Sequence, residues 1–323
     1  MITLKYMLSL SYNLSPKLKE KLQTINNLRQ DILLIPLSSK DELIIQWNAI
    51  LDRTYCSLSL AGNSLNKSQM TKLLTSQIFI ESSKTKMDKN EKDVIGYKKA
   101  LNYISQNWLV SKKYVTVKDI LMLYDIFHNG DIHVPLSRIQ ELLDYLQAQE
   151  ENPIIQSGIA NLGIIRIHPF NDGNGRLARL LSLLFLYKQG FDVRKLIVPE
   201  KAWIKDRQAF KDAAQNFQET SSITLWLEYY ADSIITQLQE TLSNLRSGSH
   251  DSLGISTAYW ELNDRQKLIL SILEEPRTTI TNRKVQEQFK ISQITASRDL
   301  SKLTNLDLIF THGKGRSVYY TKV

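Results

Sequence analysis

The sequence predicts a mainly α-helical protein that ends in a small module of helices and a β-hairpin, and three features lead there. Apolar residues recur at helical spacing through most of the chain. Its 12 Gly and 7 Pro are too few for the turns of a β-sandwich or barrel. Period-2 alternation is confined to the last residues. With 323 residues, 42% of them hydrophobic, the chain has room for a substantial core and for two domains or one large one.

The elements follow in order. Helical spacing is visible in Leu43–Leu51, Ile120–Phe127 and Ile139–Leu146, and most clearly in Leu177–Tyr187 and Leu225–Leu245. After Arg246 comes a short polar stretch, Ser247-Gly-Ser-His-Asp-Ser-Leu-Gly254, read as a linker. Beyond it the pattern is helix (Asn263–Leu273), helix (Asn282–Gln288), turn (Phe289–Ser292) and helix (Gln293–Asn305). Two β-like runs, Leu308–Thr311 and Ser317–Tyr320, then flank the basic tip His312-Gly-Lys-Gly-Arg316. This is the order of a winged helix-turn-helix. The expected division is an N-terminal helical region over 1–110, a core over 111–246, a linker over 247–255 and the winged module over 256–323.

Composition narrows the function classes. The single cysteine, Cys56, cannot form an internal disulfide, and no Cys/His cluster has metal-ligand spacing. A reducing, cytoplasmic setting is therefore the expectation. Met1–Leu10 is too short and too interrupted for a secretory segment, and no run of 18 uncharged apolar residues predicts a membrane span. With 41 Lys+Arg against 33 Asp+Glu the chain carries +8, which suits an anionic partner such as nucleotide phosphate or nucleic acid.

The stretch that carries chemistry is His168-Pro-Phe-Asn-Asp-Gly-Asn-Gly-Arg-Leu-Ala-Arg179. Gly173 and Gly175, just ahead of a strongly helical run, can turn backbone N–H groups toward one point and make an anion nest at a helix N-terminus. Asp172 is a hard oxygen ligand suited to Mg²⁺. Arg176 and Arg179 are planar forks for phosphate oxygens, and Asn174 can add a hydrogen bond. His168, at the entrance, can take a proton from an attacking hydroxyl near neutral pH. Together they describe metal-assisted attack on a phosphorus centre.

This string resembles the signature of the Fic (filamentation induced by cAMP) family, H-P-F-x-[D/E]-G-N-G-R-x-x-R, and meets every fixed position. Looser resemblance runs from about Leu43 to Ile235. It implies a mostly helical core that transfers AMP from ATP to a Ser, Thr or Tyr hydroxyl of a target protein, with release of pyrophosphate; the chain itself is one candidate target, and the sequence does not decide whether it is modified. By position, His168 becomes the general base and Asp172 the Mg²⁺ ligand. Gly173, Asn174, Gly175 and Arg176 become the phosphate cradle, and Arg179 the holder of the γ-phosphate. Phe170 has no polar atom and serves as an apolar anchor. Asp131–Leu136 falls where the family has a β-hairpin flap, and Phe210 where it has an aromatic of the nucleotide pocket. A core role for that Phe is the alternative.

Many Fic proteins carry an inhibitory helix with the pattern [S/T]-x-x-x-E-[G/N], whose glutamate pairs with the second arginine of the loop. Ser57-Leu-Ser-Leu-Ala-Gly62, followed by Asn63, reproduces the frame, but Ala61 stands where the acid would be. The resemblance therefore implies a derepressed protein adenylyltransferase, as though the acid had been substituted to release it. In the C-terminal module, 11 Lys/Arg against 7 Asp/Glu leave +4 over residues 256–323. Gln293, Thr295, Ser297, Arg298 and Lys302 on the third helix, with Lys314 and Arg316 on the wing, are groups suited to phosphates and base edges. DNA through residues 282–320 is thus a second candidate partner and a second copy of the chain, as a homodimer, a third. The alternative reading is a nucleotide-sensing DNA-binding regulator with a Fic core of little activity.

Overall fold

The structure is a computed structural model, and it describes residues 10–80, 87–128, 130–148, 151–215, 222–247, 262–273, 278–305 and 308–322. It is mainly α-helical and ends in a helix-turn-helix module with a two-stranded antiparallel hairpin. The helices are α1 (Pro16–Leu34), α2 (Ser39–Leu60), α3 (Lys67–Ile80), α4 (Lys89–Trp108), α5 (Val117–Phe127), α6 (Leu136–Gln147), α7 (Pro153–Ile167), α8 (Asn174–Lys188), α9 (Glu200–Lys205), α10 (Arg207–Gln215) and α11 (Thr224–Arg246). The C-terminal module holds α12 (Asp264–Ile272), α13 (Asn282–Phe289) and α14 (Gln293–Asn305), then β1 (Ile309–His312) and β2 (Tyr319–Lys322).

Local chemistry fixes the helix starts. Ser15 accepts from the Leu18 N–H with Pro16 at the first helical position, and Asp88 with Glu91 and Thr116 with Asp119 form reciprocal capping boxes for α4 and α5. The centre of the molecule is the α7–α8 pair, the most closely packed in the fold. Both helices are buried nearly all round; α7 is apolar over most of its surface, whereas α8 buries Arg176 and Arg179 with hydrogen-bond partners supplied by other helices. The segment that joins them, residues 168–173, therefore leaves the core and returns to it within six residues, and it opens the His168–Arg179 string.

One continuous core runs from Leu10 to Leu245, so the N-terminal helices and the α5–α11 region share their buried surface. A second, smaller core is built on Ile269, Ile280, Val285, Ala296, Leu300 and Leu308. Asp299 ties α14 to α12 by accepting from Gln266 Nε2 at 2.7 Å and by pairing with Arg265. The wing pairs Ile309 with Lys322 and His312 with Tyr319, and Ile280 adds a bridge to Tyr320 at its edge. Past Ser247, the linker read over 247–255 lies outside the described residues.

The expected flap takes a different form. Among the described residues, 130–135 is an extended segment with a single bridge, Ile132 to Phe170, in place of a paired hairpin. Pro135, at the N-cap of α6, lacks an N–H and ends any ladder there.

Candidate active site

The loop is anchored from below by its apolar residue. Phe170 is buried and lies flat on Tyr124 of α5, ring centroids 3.5 Å apart and planes 6° from parallel. The Tyr124 hydroxyl donates to the carbonyl of Asp172 at 2.9 Å, so one side chain holds both arms of the turn. Burial, with Asp172 adding to it, pushes that hydroxyl up to about 12, and it remains a neutral donor. Asn174 spans the turn: its Oδ1 accepts from the Phe170 N–H at 2.9 Å and its Nδ2 donates to the Phe170 carbonyl at 2.6 Å. The same Nδ2 lies 3.3 Å from the His168 ring nitrogens. Asn174 is thus a brace of the loop.

Gly173 is required by this packing, and Gly175 fits it closely. Gly173 caps α8 at φ 80°, and a Cβ there would lie 3.2 Å from the Tyr124 ring. A Cβ on Gly175 would press on Arg179 Nη1 at 3.3 Å. The first-turn N–H groups of α8, those of Asn174, Gly175 and Arg176, have no intrahelical acceptor, and the helix dipole places positive charge at the same end. This is the geometry of an anion site.

Charged groups surround it. Arg176 is buried, donates to Asp93 of α4 at 2.9 Å and to Asp172 at 3.3 Å, and lies over the Phe127 ring. Asp172 is exposed. Partial burial would raise its carboxyl, but the Gly173 N–H at 2.6 Å and the Arg176 and His128 charges hold it below the usual range. His128, 3.7 Å from that carboxylate, is held below the ordinary imidazole value by burial and then by Arg176.

Arg179 is buried one turn further along α8. Its Nε donates to Ser57 Oγ at 2.7 Å and its Nη2 to the Ser57 carbonyl at 2.8 Å. Burial pulls this guanidinium down, while Tyr97 and Glu200 support its charge. The Ser57 carbonyl belongs to the last turn of α2, where carbonyls lack intrahelical partners and the helix end is partly negative. Gly62, at φ 86°, terminates that helix: the Gly62 N–H reaches Ser59 and the Asn63 N–H reaches Leu58, at 3.1 and 3.0 Å. Ala61 is exposed at the cap, one helical turn beyond Ser57 on the same face.

His168 stands at the loop's entrance, exposed, in left-handed backbone conformation at φ 49°. Such a conformation costs a non-glycine residue roughly 1–2 kcal/mol, as positions shaped by function often do. The His133 ring lies 5.9 Å from it, brought there by the His133 N–H on the Pro169 carbonyl at 3.1 Å. Phe210 is half-buried, and its ring contacts are with Trp203 and Trp226 rather than with the loop. Asp93, Tyr124, His128, His133 and Glu200 carry no local sequence signal. They come from α4, from α5 and the segment after it, and from α9, and only the tertiary fold assembles them.

Comparison with known proteins identifies the domain that holds this loop. A Fic/DOC family model matches residues 117–186, which include α5, the loop and most of α8. The chain carries a Fic domain. In the C-terminal module of this Fic-domain protein, a DeoR-like helix-turn-helix model matches residues 265–322. The chain is 26% identical over 178 residues to the protein adenylyltransferase Fic of Drosophila mojavensis, covering 47% of this chain and 34% of that one. With the Aedes aegypti protein of the same name, identity is 24% over 168 residues, covering 44% and 33%. The chain thus spans about a third of the length of these relatives. A Fic family protein from Desulfovibrio desulfuricans G20 shares the fold over 97% of this chain and 98% of its own, with a TM-score of 0.60 and 14% identity. Fic-1 from C. elegans shares it over 72% and 74%, with a TM-score of 0.60 and 20% identity.

Proposed function

We propose that this Fic-domain protein is a protein adenylyltransferase, which moves AMP from ATP to a Ser, Thr or Tyr hydroxyl of a target protein. The observation that carries this reading is the placement of an exposed imidazole, His168, at the mouth of a loop whose next turn gathers the first-turn amides of α8 with Arg176 and Arg179. The amides and Arg176 cradle phosphates, and Arg179 takes the terminal one. His168 accepts the proton of the target hydroxyl as its oxygen bonds to the α-phosphorus. The bond from that phosphorus to the bridging oxygen breaks, and pyrophosphate leaves. General-base catalysis of this kind contributes typically ~10²–10⁴-fold.

No cluster of three or more His, Cys, Asp or Glu that could hold a metal alone occurs among the described residues. Mg²⁺ needs no such cluster when substrate phosphates complete its shell. Asp172 fits that part, since it is exposed, ionised at neutral pH and on the loop. Bound there, the ion would neutralise phosphate charge. Ala61 leaves α2 without the acid that would compete for Arg179, which supports a derepressed enzyme. No helix among the described residues is long and apolar enough to cross a membrane.

Incubation of the chain with α-labelled ATP in a cell extract tests this. Label is expected on a protein, and His168→Ala should abolish it while MgATP still binds. No label across extracts, with binding intact, favours the second reading, a nucleotide-sensing DNA-binding regulator. That reading is favoured by the DeoR-like domain and by an exposed row on α14, Gln293, Ile294, Ser297 and Arg298.

A further inference from the structure

His128 faces the loop with a nitrogen that the proposed reaction does not use. It ends α5, where its backbone N–H donates to the Tyr124 carbonyl at 2.8 Å. Its side chain is largely buried, with the ring edge-on to Tyr124 at 5.4 Å between centroids and stacked on Phe127 at 6.3 Å. A Cβ on Gly173 would lie 3.4 Å from its Cδ2, so the imidazole is seated against the turn itself. In this seat its Nε2 faces Asp172 Oδ2 across 3.7 Å.

That gap is too wide for a hydrogen bond. It is close to what a shared metal ion asks for, since two bonds of about 2.1 Å that meet at about 90–120° place their donor atoms about 3.0–3.6 Å apart. The other carboxylate oxygen is occupied, because Asp172 Oδ1 accepts from the Gly173 N–H at 2.6 Å. Arg176 Nη2 also reaches Oδ2, at 3.3 Å, but Arg176 Nη1 has the closer partner in Asp93 at 2.9 Å and can keep it when an ion takes the carboxylate. Asp172 is exposed, so an ion can arrive there from solution with its nucleotide.

We propose that His128 is a second protein ligand of the metal ion that accompanies the nucleotide, and that the His128–Asp172 pair selects a first-row transition dication such as Mn²⁺ over Mg²⁺. This rests on the reading of the loop as a nucleotide site. The physical reason lies in the donor atoms. Mg²⁺ takes oxygen ligands and gives up water reluctantly, whereas an imidazole nitrogen adds affinity for transition ions. Asp172 alone would serve either ion, and the nitrogen beside it favours one of them. The ring is held by Tyr124 and Phe127 before any ion arrives, so little ordering opposes the bond.

The test uses the full chain with the α,β-methylene analogue of ATP, in which the bond that would break is blocked. Pulsed EPR of its Mn²⁺ complex, with the protein's histidines isotopically labelled at nitrogen, should show a directly bonded imidazole nitrogen. The signal should persist in His168→Ala and in His133→Ala and vanish in His128→Phe, which keeps an aromatic ring in the same seat. In calorimetric titration the wild type should bind the Mn²⁺ complex about tenfold more tightly than the Mg²⁺ complex, the small end of what even an outer-shell partner contributes to metal affinity. His128→Phe should bring the two within about threefold by weakening the Mn²⁺ complex alone. A wild-type Mn²⁺ complex without a histidine nitrogen overturns the inference alone, and that measurement needs no variant to fold. A His128→Phe chain that keeps the preference for Mn²⁺, or that loses affinity equally for both ions, overturns it too. A wild-type chain that binds the analogue with neither ion overturns this inference and the nucleotide reading together.

Discussion

The loop at residues 168–179 and the face of the C-terminal module present their charges in opposite ways. In the loop, Arg176 and Arg179 are buried and each is tied to named partners, Asp93 and Asp172 for one and Ser57 for the other, while Asn174 is occupied by Phe170. On α14 and the wing, Gln293, Ser297, Arg298 and Lys314 are exposed. The difference follows from what each would hold. A triphosphate is small, and a site for it gains from groups fixed in advance, since misplacement by an ångström is costly. A nucleic acid duplex is long, and its affinity comes largely from counterions released by reachable cations.

If the loop is preorganised, its backbone should tolerate less change than any surface cation. Gly173→Ala puts a Cβ at φ 80° and 3.2 Å from the Tyr124 ring, so both the turn and its anchor must shift. The expected cost is about 1–3 kcal/mol of stability. Converted to affinity, a similar loss is a roughly 5- to 150-fold weaker MgATP complex. Calorimetric titration and thermal unfolding check both. A variant that binds and melts like the wild type would show that the loop is not held by this contact.

The C-terminal face should respond on a different axis. Exchanging Lys314, which is exposed, and Arg316 for Glu is expected to leave unfolding within about 0.5 kcal/mol. It should weaken binding to a short duplex and reduce the slope of log affinity against log salt by about one for each phosphate no longer neutralised. Duplex titrations between about 50 and 200 mM salt measure this. An unchanged slope would remove the wing from any DNA interface and favour a protein-docking role for the module.

How far each region can be read from sequence also differs, and for a physical reason. The loop is local, so all its ligating groups fall within twelve consecutive residues, and His168 through Arg179 can be named from the string alone. Its supports are not local. Asp93, Tyr124 and Ser57 reach it from three other helices, and no spacing in the sequence couples Ser57 to Arg179 across 122 positions. Among the elements, amphipathic α6 and α11 announce themselves by their periodicity, whereas α7 does not. It is buried on all sides, with Gly158 and Gly163 among its isoleucines, so it has no polar face to set a period. The place of residues 131–136 ahead of the loop predicts a hairpin flap, but Pro135 and the start of α6 leave only one bridge.

The smallest effect expected is at the position where resemblance places the largest. Ala61→Glu restores the acid of the inhibitory frame, yet position 61 is exposed at the C-cap of α2. A carboxylate there meets the negative end of its own helix, a penalty of about 0.3–1 kcal/mol. Any pairing with Arg179 must also share a guanidinium whose Nε and Nη2 already bond to Ser57. Arg207 Nη2, 3.3 Å from the Ser59 carbonyl, offers the new acid a second cation close by. The expected outcome is therefore a rise of about two- to fivefold in KM for ATP, the scale of about 0.5–1 kcal/mol, with labelling at saturating ATP nearly kept. A hundredfold fall in labelling would mean that the end of α2 moves inward and gives up its cap, and that Arg179 leaves Ser57 for the new carboxylate. No change at all would mean that position 61 does not face Arg179, and the inhibitory frame would then be a helix terminus built around Gly62 and nothing more.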